Sequence, residues 1–269
     1  MDSIESGLSI ASVSVITVNF NTSKDVHRTI RSVLKQDYPF EWVIVDGGSS
    51  DESGENLRNV LRPNDRFVSE PDRGIADAFS KALRMASGEA VIFMNAGDEF
   101  ADNSALSRLV EAWDRTKYRW VTGTAVVCRA DGAELYTRFR GKVSDPWSLV
   151  RKGCRVFHQA TIAERTLFTD YGDFDPSYRT SMDYDLWLRW MAHGCLPQVV
   201  DVVVCRYRVG GVSSDVRQRH REEKRSRLTH GFKLSAWQEW KLSTIAMLKH
   251  YLRYIAGPVF YRIKERLRW

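Results

Sequence analysis

Three short apolar runs, each closed by a polar cluster and each leading towards a helical pattern, constrain this chain more than anything else in its sequence. Val13–Phe20, Trp42–Val45 and Ala90–Met94 are rich in β-branched and apolar residues and too short for helices, so they read as buried strands. Lys24–Gln36 places Val26, Ile30, Val33 and Leu34 at helical spacing; Ser53–Leu61 and Ile75–Ala86 repeat the pattern, with a short strand at Phe67-Val68 between them. Strand, helix, strand with short links predicts a mostly parallel α/β sheet with helices on both faces.

In open sheets of this kind ligands bind beyond the carboxyl ends of the strands. The clusters Asn19–Thr22, Asp46–Ser50 and Asn95–Asp98 all fall there, so consecutive strands deliver one polar site. After residue 100 the pattern loosens. Leu106–Trp113 and Met182–Met191 predict helices, and Trp120–Cys128, Glu134–Arg138, Phe157–Ala163 and Val199–Tyr207 predict strands. No internal repeat or low-complexity segment interrupts the chain.

With 269 residues, 43% of them hydrophobic, the chain can bury a substantial core. Its start carries no basic, apolar leader pattern and no run is long and apolar enough to span a bilayer, which predicts a cytoplasmic protein. Cys128, Cys154, Cys195 and Cys205 lie far apart without a C-x-x-C pair and read as reduced thiols. The net charge of +6 is unevenly spread: residues 206–269 hold 16 Lys/Arg against 5 Asp/Glu, a net of +11, and the rest of the chain is −5. A basic excess confined to one end implies an anionic partner, nucleic acid or anionic lipid.

Four clusters carry the chemistry. Asp46-Gly47-Gly48-Ser49 ends a strand; glycines there allow close approach of a ligand and the carboxylate can accept from an imide or a ribose hydroxyl, although a plain turn reads equally well. Glu70-Pro71-Asp72-Arg73-Gly74 leads into the helix bearing Asp77 and Lys81, and suits either a capped helix start or a polar ligand. Asn95-Ala96-Gly97-Asp98 follows a wholly apolar strand, where a carboxylate can hold a divalent cation bridging a diphosphate. Asp183 and Asp185 open a helix two residues apart and point in different directions, so one caps or pairs while the other reaches the cleft as a general base.

In this order, over Val13 to about Ser214, these clusters resemble family 2 glycosyltransferases, whose fold is GT-A: a Rossmann-like, mostly parallel sheet flanked by helices. The flavour of N-A-G-D, H-Q and M-D-Y-D-L-W-L-R is similar to transferases of bacterial exopolysaccharide assembly, of the colanic acid type. The resemblance implies that Thr17, Asn19 and Asn21 line a nucleotide loop and that Asp46 and Gly48 bind a uracil-type base. It also implies that Asp72, Gly74, Asp77 and Lys81 line ribose and diphosphate, with Asn95 and Asp98 in place of the D-x-D metal motif. Met182-Asp183 takes the place of the Glu-Asp pair, leaving Asp183 as the base. Asn95 and Gly97 replace the usual carboxylates of D-x-D, so Asp98 is left as the cation ligand, with His158 as a second candidate. Tyr207–Ser214, with Arg208 at its start, resembles a loop that closes over the donor.

The expected enzyme is an inverting hexosyltransferase using a nucleoside-diphosphate sugar, UDP favoured over GDP, and Mn²⁺ or Mg²⁺. Its expected acceptor is a saccharide, one carried on polyprenyl diphosphate above all. The domain is expected over 1–214, with a basic amphipathic helical extension over 215–269. In that extension Trp237, Trp240, Ile245, Leu248, Leu252 and Ile255 share one side before Gly257-Pro258 breaks the helix, and a second stripe follows with Phe260, Ile263 and Leu267. Such helices suit the inner face of the cell membrane; packing on the domain or on a second subunit is the alternative, so oligomerisation stays open. A nucleotidyltransferase would need a Gly-rich, basic phosphate loop after the first strand, where Asn19-Phe20-Asn21-Thr22 stands instead. A nucleic-acid binder would leave acidic clusters at the strand ends that repel phosphate, so no nucleic-acid partner is expected.

Overall fold

The computed structural model describes residues 11–129, 131–138, 143, 145–154, 156–208, 215–248 and 251. Its first part follows the alternation: β1 (Val13–Asn19), α1 (Val26–Leu34), β2 (Phe40–Asp46), α2 (Ser53–Arg58), β3 (Arg66–Ser69), α3 (Ile75–Met85) and β4 (Ala90–Phe93). Next come β5 (Glu99–Phe100), α4 (Ala105–Glu111), β6 (Trp120–Cys128), β7 (Glu134–Arg138) and α5 (Pro146–Lys152). A 3-10 turn (His158–Ala160) leads into β8 (Thr161–Glu164), followed by α6 (Thr166–Asp170), α7 (Met182–Ala192), β9 (Gln198–Arg208) and α8 (Val216–Thr229). Residues 236–248 form a further helix, α9.

The strands make one sheet in the order β3-β2-β1-β4-β8-β6-β9-β5, with β7 paired to β6. β3, β2, β1 and β4 are mutually parallel; β8 runs against β4 and β6, and β9 runs parallel to β6. The sheet is therefore mixed but mostly parallel. Alternation along β1 explains its burial on both sides. Ile16 and Val18 pack with Phe79 of α3 and Trp187 of α7 in one core, while Val13 and Val15 pack with Val26 of α1 and Leu57 of α2 in the other.

The expected strand Phe157–Ala163 begins as a 3-10 turn. The β4–β8 register stops at Ile92↔Ile162, so residues 158–160 lie beyond the end of β4 and bond locally, Ala160 N–H to the Phe157 carbonyl at 3.0 Å. Because β8 is antiparallel, the residues entering it stand at the same edge as the carboxyl ends of β1, β2 and β4. That reversal delivers His158 and Gln159 to the mouth.

α7 is seated by aromatic packing: Trp187 stacks on Trp120 of β6 with centroids 5.1 Å apart, and Trp190 meets both rings edge-on. α8, which opens the expected extension, packs on α7. Glu222 of α8 is buried and accepts from the backbone N–H groups of Arg179, Thr180 and Ser181 at 2.8–2.9 Å, fixing the entry to α7. α9 is tied to α8 by buried Arg227, which donates to both carboxylate oxygens of Glu239 at 3.0 and 2.8 Å. All four cysteines are free thiols. Among the described residues no helix is long and apolar enough to cross a membrane.

Candidate active site

One side of the mouth is a closed network around Asp46. The β1–β2 register sets Asn19 opposite Asp46, and Asn19 Nδ2 donates to Asp46 Oδ1 at 2.7 Å and to Ser53 Oγ at 2.8 Å. Asp46 also accepts from Ser49 N–H (3.0 Å), Ser49 Oγ (2.5 Å) and Ser69 Oγ (2.6 Å). Burial pushes the Asp46 carboxyl up, but the hydrogen bonds from Ser49, Ser69 and Asn19 outweigh it and hold the group below the usual carboxylate range. Asn19 accepts from the Thr22 hydroxyl, and Asn21, in the left-handed region at φ 51°, accepts from Ser50 N–H at 2.9 Å. Thr17 lies wholly inside the sheet, its hydroxyl accepting from Trp42 Nε1 and donating to the Met94 carbonyl. It pins three strands together and has no surface to offer a ligand.

The neighbouring loop leans directly on these glycines. A Cβ on Gly47 would stand 2.5 Å from Asp72 Oδ2, and Gly48, at φ 78°, lies against the Pro71 backbone. Asp72 accepts from Gly74 N–H at 2.8 Å. Lys81 bonds the Pro71 carbonyl and Glu70, both at 2.9 Å, and so holds this loop down. The Arg73 N–H and guanidinium keep Asp77 below the usual range.

The other side of the mouth is more open. Asn95–Asp98 is a tight turn, Asp98 N–H to the Asn95 carbonyl at 2.9 Å, stapled by Thr29 of α1, which donates to the Asp98 carbonyl and accepts from Gly97 N–H. Gln159 donates to Asp98 Oδ2 at 2.7 Å; burial nevertheless pushes this carboxyl up from its ordinary value. The Asn95 amide nitrogen meets His158 Nε2 at 3.1 Å, and His158 Nδ1 stands 3.6 Å from Asp183 Oδ2. The Asn95 amide oxygen is buried without a partner among the described residues. Among the described residues Asp183 itself bonds only its neighbour's N–H, Tyr184 at 2.7 Å, and is partly exposed. Arg208, at the end of β9, reaches Glu99 beside Asp98 at 3.0 Å.

The structure thus brings Asn95, Asp98, His158, Asp183 and Arg208 to one mouth, with the Asp46 network and the Asp72 loop along the same sheet edge. His158 is placed with both ring nitrogens towards protein partners, between Asn95 and Asp183. The two carboxylates of α7 differ in surroundings: Asp185 is buried, paired with Arg189 and with His230 just past α8, both at 3.0 Å. Among the described residues no group of three His, Cys, Asp or Glu is arranged around a cation. Val209–Ser214 of the expected closing loop lie outside the described residues. Ser53, Ser69, Gln159 and Glu222 were not singled out in the sequence, except Gln159 as part of H-Q. Their polar residue types carry no signal alone.

A model of the family described as glycosyl transferase family 2 matches residues 14–167, more than half of the chain. The chain belongs to glycosyltransferase family 2. An uncharacterized glycosyltransferase of Mycobacterium tuberculosis is 31% identical to this transferase over 224 residues, 80% of this chain and 79% of the relative. A PGL/p-HBAD biosynthesis glycosyltransferase of Mycobacterium bovis is 28% identical over 211 residues, 76% of this chain and 79% of that one. Among solved structures, a mannosyltransferase from Pyrobaculum calidifontis in complex with GDP-Man and Mn²⁺ superposes with a TM-score of 0.64 at 19% identity, over 95% of the transferase and 74% of that chain. S. aureus TarS 1–349 in complex with UDP-GlcNAc gives 0.60 at 16% identity, over 90% and 73%. The GT-A fold expected from the sequence is thereby confirmed, and the transferase is an enzyme of glycosyl transfer.

Proposed function

We propose that this transferase moves a hexose from a nucleoside-diphosphate sugar, UDP before GDP, onto a saccharide hydroxyl with inversion, in the assembly of a bacterial surface glycan of the exopolysaccharide kind. The observation that carries the reading is the contact line Asn95–His158–Asp183, which ties the turn bearing Asp98 to an open carboxylate at the start of α7. Asp46, Gly48, Asp72 and Gly74 line the path of base, ribose and diphosphate, with Asn19 and Asn21 shaping it and Asp77 and Lys81 bracing it.

The chemistry follows from these positions. Asp183 accepts the proton of the acceptor hydroxyl; the oxygen attacks the anomeric carbon as the bond to the diphosphate breaks on the opposite face, and the electron pair leaves with the diphosphate. Base assistance of this kind is worth roughly 10²–10⁴-fold. His158, with Nδ1 facing Asp183, orients the base. Arg208 lies close enough to Asp98 to meet the leaving charge. Asn95, whose buried amide oxygen has no partner among the described residues, and Asp98 in the same tight turn would hold a hard cation of the kind that takes few protein ligands. Mn²⁺ or Mg²⁺ held there would supply charge neutralisation to the departing diphosphate. The cation and nucleotides named with the archaeal and staphylococcal structures support this choice.

The acceptor class is a saccharide on a polyprenyl-diphosphate carrier, and the basic extension over 215–269 holds the enzyme on the inner face of the membrane where such carriers lie. A panel of nucleotide sugars with Mn²⁺ or Mg²⁺, read by release of nucleoside diphosphate, tests the proposal. One UDP- or GDP-sugar should turn over slowly, and EDTA should abolish it. No turnover and no UDP or GDP binding by calorimetry would overturn it.

A further inference from the structure

α9 is turned inside out for a helix that packs on a domain. Its inner side is fixed by Glu239 on buried Arg227, yet Trp237, Trp240 and Leu248, spaced three and eight residues apart, form an outward stripe, and Tyr251, beyond the described span of α9, is exposed as well. Their exposures of 64%, 63%, 53% and 61% leave this apolar face uncovered by any described residue. Behind that stripe, between α9 and the first turns of α8, lies a groove of about 390 Å³. Arg217, His220 and Arg221 form its α8 wall, and Ser243, Ala246 and Met247 its α9 wall. Arg217 and Arg221 are one turn apart on the same helix face, where like charges repel. Among the described residues no carboxylate lines the groove.

We infer that this groove is a binding site for the phosphate headgroup of an anionic phospholipid in the bilayer on which α9 lies. An amphipathic helix in the interface buries its apolar face to a depth of roughly 5–10 Å, and a helix is about 10 Å across. With the Trp237–Leu248 stripe at the acyl boundary, the back of α9 stands at headgroup level. Met247 belongs to both surfaces: it lines the groove and is 37% exposed at the margin of the stripe. The groove thus offers two guanidinium groups, an imidazole and a hydroxyl to a phosphate, and a methionine to the glycerol and first acyl carbons. The inference rests on the membrane reading above and goes beyond it, since diffuse attraction of a basic tail needs no site.

Vesicles of phosphatidylcholine alone and with phosphatidylglycerol, in a flotation assay with the full chain, provide the test. Arg217→Gln/Arg221→Gln is compared with Lys224→Gln/Lys233→Gln, an equal loss of charge at exposed positions outside the groove. The groove pair should lose about thirtyfold in affinity for the anionic vesicles, because both guanidinium groups contact one phosphate there. The control pair should lose no more than a few-fold. Equal losses would reduce the attraction to diffuse charge and overturn the site. Trp237→Ser/Trp240→Ser should lose binding to both vesicle types; unchanged binding would overturn the placement of the stripe.

Monomeric short-chain phosphatidylglycerol, titrated by NMR, separates the two readings. Saturable shifts at the groove without vesicle binding would keep the headgroup site and reject the membrane role of the tail. Neither effect, or inorganic phosphate binding as tightly as the lipid, would reject the site. Self-association that covers the stripe would assign this face to a second copy and overturn the proposal as well.

Discussion

Around Asp46, donors from the ends of β1 and β3 and from the loop after β2 converge on one carboxylate, whereas along the same sheet edge the Asn95 amide oxygen is buried with no partner among the described residues. The first cluster is complete in itself. Asn19, Asp46, Ser49 and Ser53 fall within 35 residues of sequence and are set by adjacent strand ends in register. The second is assembled from Asn95, His158 and Asp183, and depends on Glu222 from a helix far down the chain. A saturated network fixes backbone shape before any ligand arrives; an unsatisfied one holds open the groups that a ligand must complete. In the proposed reaction the Asp46 side shapes the nucleotide pocket and the Asp183 side carries out the chemistry.

Asp98→Asn breaks the open side most directly. Turnover should fall by roughly 10²–10³-fold, the usual cost of losing a group that stabilises developing charge. Thermal unfolding should show no loss of stability, because burial already disfavours the ionised form of this carboxyl. A variant that keeps its rate would remove Asp98 from the site.

Glu222→Gln tests whether the open side is held from afar. Burial pushes this carboxyl up, but hydrogen bonds from the Arg179 and Thr180 backbone, Gln218 and the Thr180 hydroxyl lower it from 4.5 to about 2. A depressed carboxylate stabilises fully above its unfolded value and loses that contribution as pH falls from about 4.5 to 2. Chemical denaturation should show the variant less stable by about 3 kcal/mol at neutral pH. It should also lack part of the wild-type decline between those pH values.

On the closed side, Ser69→Ala removes one donor of several and should cost about 1.5 kcal/mol, measured the same way. Gly47→Ala puts a methyl group 2.5 Å from Asp72 Oδ2 and must displace that flexible side chain. Nucleotide affinity should fall about fivefold, equivalent to roughly 1 kcal/mol, with little change in stability.

The sequence makes the closed side readable because its logic is local. Buried strands announce themselves by β-branched runs, and polar residues at strand ends mark the mouth. Even there, Thr17 was expected at the ligand but lies inside the sheet, since side-chain alternation sends it towards Trp42. The open side was legible in its residue types, not in its assembly. Asp183 was separated from Asp185 by helix geometry, as the structure bears out with Asp185 paired to Arg189 and His230. The turn at His158–Ala160 was hidden because strand pairing ends where a partner strand ends, a non-local fact. Glu222 was hidden for the same reason, 41 residues from Ser181.

The division of labour between the two sides is tested most directly by calorimetric titration of Asp183→Asn with UDP and GDP, run beside its sugar turnover. The variant should bind the same nucleotide as the wild type with unchanged affinity while turnover falls by roughly 10²–10⁴-fold. Turnover within tenfold of wild type, or nucleotide binding lost together with turnover, would contradict the separation of a pre-shaped nucleotide pocket from the Asp183 chemistry.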